Sequence, residues 1–322
     1  MSCDIPAFPG FFDHSKLVAG SSLLAAELVS QKEHDVVLNW MGGLHHARKS
    51  KASGFCYTND CVLAIVRLLH DFQRVLYVDI DVHHGDGVEE AFLKSNRVMT
   101  LSLHLFDPEE NFFPGTGSLE DKGFGEGMNY AVNVPLRRGC SDISYEIVFK
   151  AAFDRVTAKF KPDAIVLQCG ADSLIGDLIG PFNVSLQGHS DAFMHVIEYG
   201  VPTVVLGGGG YTLENVSRCW TIESAKMVNK ELPNQIPENL EYSTEYSSPE
   251  LFYNPQNIHN ANKDLNTKNH LHKIIETIDQ NLQEIESAPG CVLNSEIPDI
   301  ENYSNRLISN MFSINEEIEN SQ

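Results

Sequence analysis

Residues 74–92, RVLYVDIDVHHGDGVEEAF, decide the fold of this chain because they join a buried strand to a row of polar side chains. Residues 75–78 are apolar or aromatic, the pattern of a strand buried on both faces. Asp79, Asp81 and His83 follow at intervals of two residues, so an extended chain would point all three side chains to the same side. The stretch therefore predicts a strand that ends in chemically active residues.

Gly85 and Gly87 follow this row and end the strand, and residues 88–92 are typical of the start of a helix. Two carboxylates and an imidazole at the end of a strand suit a hard or borderline divalent cation such as zinc. The alternative is a run of solvated loop acids. Loop acids have no reason to alternate in phase with an imidazole, so we favour a metal site.

The composition excludes several classes of protein. The chain has 322 residues, enough for one large domain or two, and a formal net charge of -21. This charge argues against direct binding to nucleic acid or to an anionic membrane, and favours a cationic substrate or partner. Seven cysteines without a CxxC motif are typical of reduced thiols. We find no signal peptide and no apolar run near the ~20 residues of a membrane span, so we expect a soluble, intracellular protein.

Strands alternate with helices along the chain, which predicts a parallel α/β sheet with right-handed crossovers. Residues 1–16 are punctuated by proline and glycine and are predicted to form a loop. Asp60 is predicted to cap the helix 61–72. The other predicted helices are 17–30, 145–160 and 189–199, and the predicted strands are 35–40, 75–83, 98–103, 164–167 and 201–206.

Four polar segments follow predicted strands and can converge, because sites form at the carboxyl edge of such sheets. They are GGLHH, DIDVHHGD, GAD and GGGGY, at residues 42–46, 79–86, 170–172 and 207–211. The four glycines lack the spacing and the basic residue of a phosphate-binding loop, so a nucleotide site is disfavoured.

Asp81 and His83 supply two metal ligands, and Asp172 is the best candidate for a third. Three protein ligands leave positions open for water and substrate, which is typical of a catalytic site. The alternative for Asp172 is a helix-capping aspartate.

His45 and His46 form a second group, because tandem histidines after a Gly-Gly turn are unusual in a core, where imidazoles need partners. Near a metal they could serve as a general base and as a general acid or electrostatic partner. Asp79 and Asp86 lie in the right neighbourhood to orient them. The alternative is two packed or surface histidines.

Aromatic residues complete the predicted site. Tyr211 follows four glycines and could donate a hydrogen bond to a developing oxyanion. Phe55, Phe112 and Phe113 could form an apolar slot for an aliphatic chain. Each aromatic taken alone is equally compatible with ordinary packing. Together the groups describe metal-assisted hydrolysis of a neutral carbonyl compound.

With these motifs in hand, the chain resembles the class I zinc-dependent histone deacetylases, most of all their type-eight-like branch. The resemblance runs from Cys3 to about Ala225, weakly on to Gly290, and is carried by GGLHHARKSKASGFCYTND, YVDIDVHHGDGVEEAF, FFPGTG, LQCGADS and LGGGGY. It implies a single arginase/deacetylase-type α/β domain with helices on both faces of a mostly parallel sheet. It also implies one catalytic Zn²⁺ and removal of acetyl groups from lysine side chains of histones and other proteins.

The resemblance assigns a role to each matching residue. Asp81, His83 and Asp172 are implied to be the zinc ligands, His46 the general base and His45 its electrostatic neighbour, with Asp79 and Asp86 orienting them and Tyr211 as the oxyanion donor. Implied substrate contacts are Asp4, Gly54, Phe55, Phe113, Gly209 and Ile179. Implied ligands of structural K⁺ or Na⁺ are Asp79, Asp81, His83, Ser102 and Leu103 at one site, and Phe92, Ser95, Val98 and Tyr130 at a second.

This chain also departs from the family pattern. The family's first strand is absent before Met1, so we expect an N-terminally truncated catalytic domain over residues 1–287 and an acidic, disordered tail over 288–322. Ile5 replaces a common cysteine, which removes a redox pairing with Cys56. Leu178 replaces an arginine that binds inositol phosphate in corepressor-bound members. Ile179 replaces a glutamate of polyamine-selective relatives, which favours a peptide substrate.

The main functional hypothesis is therefore a protein lysine deacetylase acting in chromatin and transcription regulation. Two alternatives remain: a deacylase for polyamines or longer acyl groups, and a truncated, catalytically impaired scaffold. The resemblance places the protein in the nucleus, with the cytoplasm as a second location, and makes a corepressor complex a candidate partner. The sequence identifies neither the substrate lysine nor the oligomeric state.

Overall fold

The computed structural model describes residues 5–253 and 262–285. Within them, six strands form one parallel sheet in the order β1-β6-β5-β2-β3-β4. The strands are β1 Val36–Asn39, β2 Val75–Asp79, β3 Val98–Leu105, β4 Ala131–Leu136, β5 Ala164–Gln168 and β6 Thr203–Leu206. The helices are α1 Phe11–Ser30, α2 Asp60–Leu68, α3 Asp86–Phe92, α4 Asp142–Phe160, α5 Leu186–Ile197, α6 Leu213–Met227 and α7 Lys268–Gln283.

The central strand β2 is fully buried, as its apolar sequence predicts. Alternate side chains enter two separate cores, because successive residues of a strand point to opposite faces. Leu76 and Val78 belong to a core shared with α4, α5 and α7, whereas Val75 and Tyr77 belong to a core shared with α1 and α2. The predicted class, a parallel sheet with helices on both faces, is confirmed.

Two local predictions about helix starts were wrong. Helix α1 begins at Phe11, so residues 11–16 are helical; the loop ends at Gly10, whose φ of 85° suits glycine. Helix α2 is capped by Asn59, whose side chain accepts a hydrogen bond from the amide of Val62. Asp60 is instead the first helical residue, and its buried carboxylate binds the amides of the loop that carries the tandem histidines.

Strand β4 was not predicted. It contains Asn133 and Pro135, two residues that are depleted in strands. Its position at the edge of the described sheet explains the proline, because an edge strand needs fewer backbone donors.

The sheet order brings the ends of β2, β5 and β6 side by side, since β5 pairs with both of the others. The loops after these strands carry three of the four polar segments, and the fourth follows the adjacent β1. Among the residues that the structure describes, no helix has the length and apolarity needed to cross a membrane.

Candidate active site

Three buried donors meet at the carboxyl end of β2 and β5. Nδ1 of His83 lies 3.1 Å from Oδ1 of Asp81 and 3.0 Å from Oδ2 of Asp172. One ligand atom of each residue lies within 4.8 Å of the others. The predicted trio is therefore assembled, although strand β2 ends at Asp79 and the row beyond it is not regular strand.

The carboxylates of this trio are fixed by further hydrogen bonds. Oδ1 of Asp172 accepts from the amide of Val82 at 2.8 Å, and Oδ2 of Asp81 accepts from the amide of Gly209 at 2.9 Å. These donors are main-chain groups on separate loops, so they fix the position of each carboxylate.

The electrostatics of the trio fit a cation. Burial would lower the pKa of His83, but the charges of Asp172 and Asp81 outweigh it and raise the pKa to about 10. Burial, together with the nearby charge of Asp81, raises the pKa of Asp172 to about 7. Both pKa values are raised because negative charges lie close together in a buried space. Two carboxylates and an imidazole are ligand types that zinc accepts, so the residues present fit that ion.

The tandem histidines face the trio, and each contacts its own carboxylate. Nδ1 of His45 lies 2.8 Å from Oδ2 of Asp79, and Nδ1 of His46 lies 2.8 Å from Oδ1 of Asp86. The two Nε2 atoms lie 2.9 Å apart, a hydrogen-bond distance at which one nitrogen donates and the other accepts. All four side chains are buried.

The two imidazoles differ in charge. Burial opposes protonation of His45, but the charges of Asp79 and Asp81 raise its pKa to about 9. Burial and the positive charge of His45 lower the pKa of His46 to about 4. At neutral pH, His45 is therefore the charged donor and His46 the neutral acceptor.

A cavity of about 240 Å³ opens onto these groups. Its lining combines the tandem histidines, the metal-type donors and the two glycine-rich loops: Gly43, Leu44, His45, His46, Gly54, Phe55, Cys56, Asp81, His83, Gly208, Gly209, Gly210 and Tyr211.

Aromatic rings stand over the cavity, and the three phenylalanines named above are placed differently. The ring of Phe113 meets His46 edge-on with centroids 4.9 Å apart, and Phe55 lies 6.0 Å from the ring of Tyr211. Phe55 and Phe113 are both exposed, at 55% and 40%. Phe112, in contrast, stacks on His83 at 5.1 Å and packs against the core.

Asp177 holds the loop of Tyr211 in place. Its Oδ2 accepts from the amide of Tyr211 at 2.7 Å, and its Oδ1 accepts from the amide of Ile179 at 2.9 Å. Burial and the charges of Asp81 and Asp172 raise the pKa of Tyr211. The phenol therefore keeps its proton at neutral pH and can donate a hydrogen bond.

The remaining predicted residues lie in two places. Ser102 is opposite Asp79 in the register of β2 and β3, and its hydroxyl lies 2.9 Å from Nδ1 of His104. The second set predicted to bind a monovalent cation lies around the start of β3, at Phe92, Ser95, Val98 and Tyr130. Asp4 lies outside the described residues, as does the 287/288 boundary.

Sequence reasoning missed three residues that hold the site together. Nε2 of Gln168 donates to Asp81 at 2.9 Å, the Tyr77 hydroxyl donates to Asp79 at 2.6 Å, and Nη2 of Arg48 contacts Oδ2 of Asp86 at 2.5 Å. The signal for Gln168 was its place at the end of a strand, next to a motif already singled out. Nothing local in the sequence links Arg48 to Asp86.

An open parallel sheet with a buried Asp/His trio and two His–Asp pairs at its carboxyl edge defines an α/β protein with a candidate metal centre. The histone deacetylase domain model matches residues 2–227. The chain is 48% identical over 289 residues to histone deacetylase 1 of Homo sapiens. The aligned residues make up 89% of this chain and 58% of that relative. The chain is 46% identical over 303 residues to type-1 histone deacetylase 1 of Dictyostelium discoideum, covering 94% and 59%.

The chain therefore belongs to the histone deacetylase family, and these relatives support membership of class I. The family is zinc-dependent, in agreement with the donors at the candidate site. The chain spans less than three fifths of the length of these two relatives.

Proposed function

We propose that this chain is a zinc-dependent hydrolase that removes acetyl groups from lysine side chains of histones and other proteins. One observation carries the proposal: a buried Asp/His trio and two His–Asp pairs converge on a single 240 Å³ cavity whose mouth is aromatic. Family membership and the names of the relatives support the same reaction.

Asp81, His83 and Asp172 would hold the zinc ion. When bound, zinc supplies polarisation of the amide carbonyl and a lower pKa for a coordinated water molecule. His46 is the proposed general base, because its lowered pKa leaves Nε2 unprotonated at neutral pH. When the attacking water binds, Nε2 exchanges the hydrogen bond from His45 for one from that water and accepts its proton. His45 keeps its proton and stabilises developing negative charge beside it.

The other groups bind and orient the substrate. Asp79 and Asp86 hold the imidazoles through Nδ1, and Arg48 holds Asp86 in turn. Tyr211 donates its phenolic hydrogen to the oxygen of the scissile carbonyl as negative charge develops there. Gly54, Phe55 and Phe113 are proposed to contact the aliphatic part of an acyl-lysine, together with Gly209 on the loop after β6 and Ile179 on the loop after β5.

Turnover of an acetyl-lysine peptide by the zinc-loaded chain tests the proposal. We expect acetate release that a chelator abolishes, and a loss of at least about 100-fold in kcat in His46→Ala, the lower end of the usual range for acid–base groups. His195→Ala is the matched control, because this histidine contacts Asp154 outside the site and its loss leaves kcat within about twofold. Folded, zinc-loaded protein without acetate release overturns the proposal.

A second candidate activity is removal of acyl groups from polyamines, or of longer acyl groups from lysine. The exposed apolar side chain of Ile179, on the Asp177 loop that also holds Tyr211, favours a peptide over a polycation, because it offers no negative charge to a second amine. A substrate panel that includes an acetylpolyamine and long-acyl peptides decides between these activities. If either has a higher kcat/KM than every acetylated peptide, the main proposal is wrong and the second activity is favoured. A chain that folds and binds zinc but turns over none of them is instead a scaffold.

The finer assignments belong to the same proposal. They comprise a place in the type-eight-like branch, a nuclear location with some cytoplasmic protein, and a corepressor complex as partner. Structural K⁺ or Na⁺ would be bound at Ser102 and Leu103 with the metal loop, and at Phe92, Ser95, Val98 and Tyr130. The negative net charge supports a cationic protein substrate, such as a histone tail, and disfavours direct contact with nucleic acid.

A further inference from the structure

A second group of buried ionisable residues lies behind the turn that carries Asp172. His189 on α5 and Cys219 and Glu223 on α6 have no exposed surface. Nδ1 of His189 lies 2.6 Å from Oε1 of Glu223 and 3.3 Å from Sγ of Cys219. None of the three lines the catalytic cavity. A buried pair of this kind is costly to maintain unless both members have partners, so its purpose needs an explanation.

The contacts of His189 show what the group does. Its Nε2 lies 2.9 Å from the carbonyl oxygen of Gly170. A carbonyl only accepts, so Nε2 carries a hydrogen. The Nδ1 atom faces the carboxylate of Glu223, which fixes the plane of the imidazole ring. The imidazole ring thus connects Glu223 of α6 with Gly170 in the turn after β5.

The Gly170 turn sits directly against the proposed ligands. A Cβ on Gly170 would lie 2.0 Å from Oδ2 of Asp81, so the backbone approaches that carboxylate closely. Asp172 follows two residues later. The amide of Gly170 donates to Oε1 of Gln168 at 2.8 Å, so the turn is held from the sheet on one side and from His189 on the other.

The same group is not suited to hold a metal ion of its own. The separation of 2.6 Å between Nδ1 and Oε1 is that of a short hydrogen bond, and an ion between these atoms would need them further apart. Oε2 of Glu223 is buried with no hydrogen-bond partner among the described residues. Glu223 therefore interacts through Oε1, with the imidazole of His189 at 2.6 Å and with the thiol of Cys219 at 3.6 Å.

We propose that His189 is a positioning residue for the metal centre: its Nε2–H, aimed by Glu223, fixes the Gly170 carbonyl and so sets where the carboxylate of Asp172 lies. The inference rests on the proposed zinc site and adds a support that reaches it from α5 and α6. Groups that orient metal ligands typically contribute about 10- to 100-fold to metal affinity.

Two substitutions of His189 separate the contact of Nε2 with Gly170 from the contact of Nδ1 with Glu223. In His189→Gln the amide nitrogen can take the place of Nε2 and donate to Gly170. In His189→Asn it can take the place of Nδ1 alone. Both variants remove the imidazole, but asparagine leaves a larger cavity and has a lower helix propensity, so the two are compared at a matched folded fraction. Zinc affinity of the full chain, measured by competition with a chromogenic chelator, is the readout.

We expect His189→Asn to weaken zinc binding by about 10-fold or more, and His189→Gln to restore most of that loss. Ile222→Ala, on α6 beside Glu223 but in a separate apolar cluster, controls for general loosening and leaves zinc affinity unchanged once the folded fraction is matched. Equal zinc affinity in the Asn and Gln variants overturns the inference.

If neither variant at 189 folds, Glu223→Gln decides, because the glutamine keeps an acceptor for Nδ1 but loses the charge. A loss of about threefold or more in zinc affinity supports the inference, and wild-type affinity overturns it. The two proposals fail separately. A wild-type chain that binds zinc but releases no acetate overturns the proposed function, and the ratio between the Asn and Gln variants still tests His189.

Discussion

At the scale of single residues, the site depends on glycines that let main chain and carboxylates approach each other. A Cβ on Gly209 would lie 2.1 Å from Oδ2 of Asp172 and 3.0 Å from Oδ2 of Asp81. Real Cβ atoms do not approach so closely, so a larger residue there must displace a proposed zinc ligand. The glycine run before Tyr211 is thus a steric requirement of the site.

We predict that Gly209→Ala weakens zinc binding by at least about 10-fold, because the new methyl group pushes the Asp172 carboxylate away. Chelator competition measures the loss. Gly20→Ala is the control: Gly20 is in α1, a Cβ on it would have no described atom within 4 Å, and helix propensity makes the change stabilising by about 0.5–1 kcal/mol. Unchanged zinc affinity in Gly209→Ala contradicts the prediction.

A second prediction concerns Asp86. Although burial opposes it, contact with His46 and Arg48 lowers the pKa of this carboxyl group to about 2, so it is ionised at neutral pH. Asp86→Asn removes the charge that supports a proton on His46 during the reaction, and we expect kcat to fall by about 10- to 100-fold with little change in KM.

The matched control for Asp86 is Glu90→Gln. Glu90 is the other carboxylate that contacts Arg48, at 2.7 Å, and it is exposed. Steady-state kinetics of both variants on one acetyl-lysine peptide give the comparison. Equal kcat values in the two variants would mean that Asp86 acts only by holding Arg48.

At this scale the sequence predicted where the acids of the site lie, because Asp79, Asp81 and His83 alternate and Asp172 follows a strand. It also predicted that Asp79 and Asp86 lie near the histidines, but not that Asp79 contacts His45 and Asp86 contacts His46. Asp60 shows the limit: a carboxylate at a helix start has two physical uses, and only the fold showed that it binds the amides of Gly43 and Leu44.

At the scale of secondary structure, Asp264 joins the last described segment to the start of α4. Its carboxylate accepts hydrogen bonds from the amide and hydroxyl of Ser141 and from the hydroxyl of Ser144. Burial would raise the pKa of Asp264, but these bonds and those from Asn266 lower it. A residue distant in sequence thus anchors the N-cap residue Ser141 and the first turn of α4.

We predict that Asp264→Ala lowers the free energy of unfolding at pH 7 by about 1.5–3 kcal/mol, the usual range for hydrogen bonds to a charged group. A depressed carboxyl pKa stabilises the fold above the unfolded value of about 3.9, and the stabilisation disappears as pH falls through the folded value. The difference from wild type should therefore shrink below about pH 4. Urea unfolding at pH 7 and at pH 3.5 measures it, and a difference that grows in acid contradicts the prediction.

Five of the six strands could be predicted, because each is a short apolar run between polar segments. Strand β4 could not, because Asn133 and Pro135 break its pattern and only the neighbouring β3 gives them a partner. The start of α1 was missed for a similar reason: proline and glycine mark where a loop ends, but not which residue after them is helical.

At the scale of the whole molecule, α7 packs on the main core although it lies beyond the residues that match the family model. Ile274 and Ile278 are buried in the cluster that includes β2, β3 and α4. We therefore propose that residues 262–285 belong to the catalytic domain, as the predicted domain of residues 1–287 requires.

We predict that Ile274→Ala lowers the free energy of unfolding by about 2–5 kcal/mol, the range for buried isoleucine. Loss of zinc binding should occur in the same urea transition as loss of helical circular dichroism. Thr277→Ala, on the exposed side of α7, is the control and should shift the midpoint little. Separate transitions for the helix signal and for zinc would show that α7 is not part of one cooperative unit.

The parallel class of the sheet followed from the alternation of strands and helices, but the strand order did not. The sequence pattern predicts that each strand is buried, but it does not predict which strands lie next to one another in the sheet. The order places β5 between β2 and β6, and this alone brings the GAD segment against both the DIDVHHGD and the GGGGY segments.

The side chain of Gln168 touches both halves of the site. Its Nε2 lies 2.9 Å from Asp81 and 3.4 Å from His45, and its Oε1 holds the turn before Asp172. One neutral amide thus connects the residues proposed to hold the ion with the residues proposed to move protons. A substitution made near Asp81 to accommodate another metal would therefore also change the surroundings of His45. The two groups of residues would have to be redesigned together.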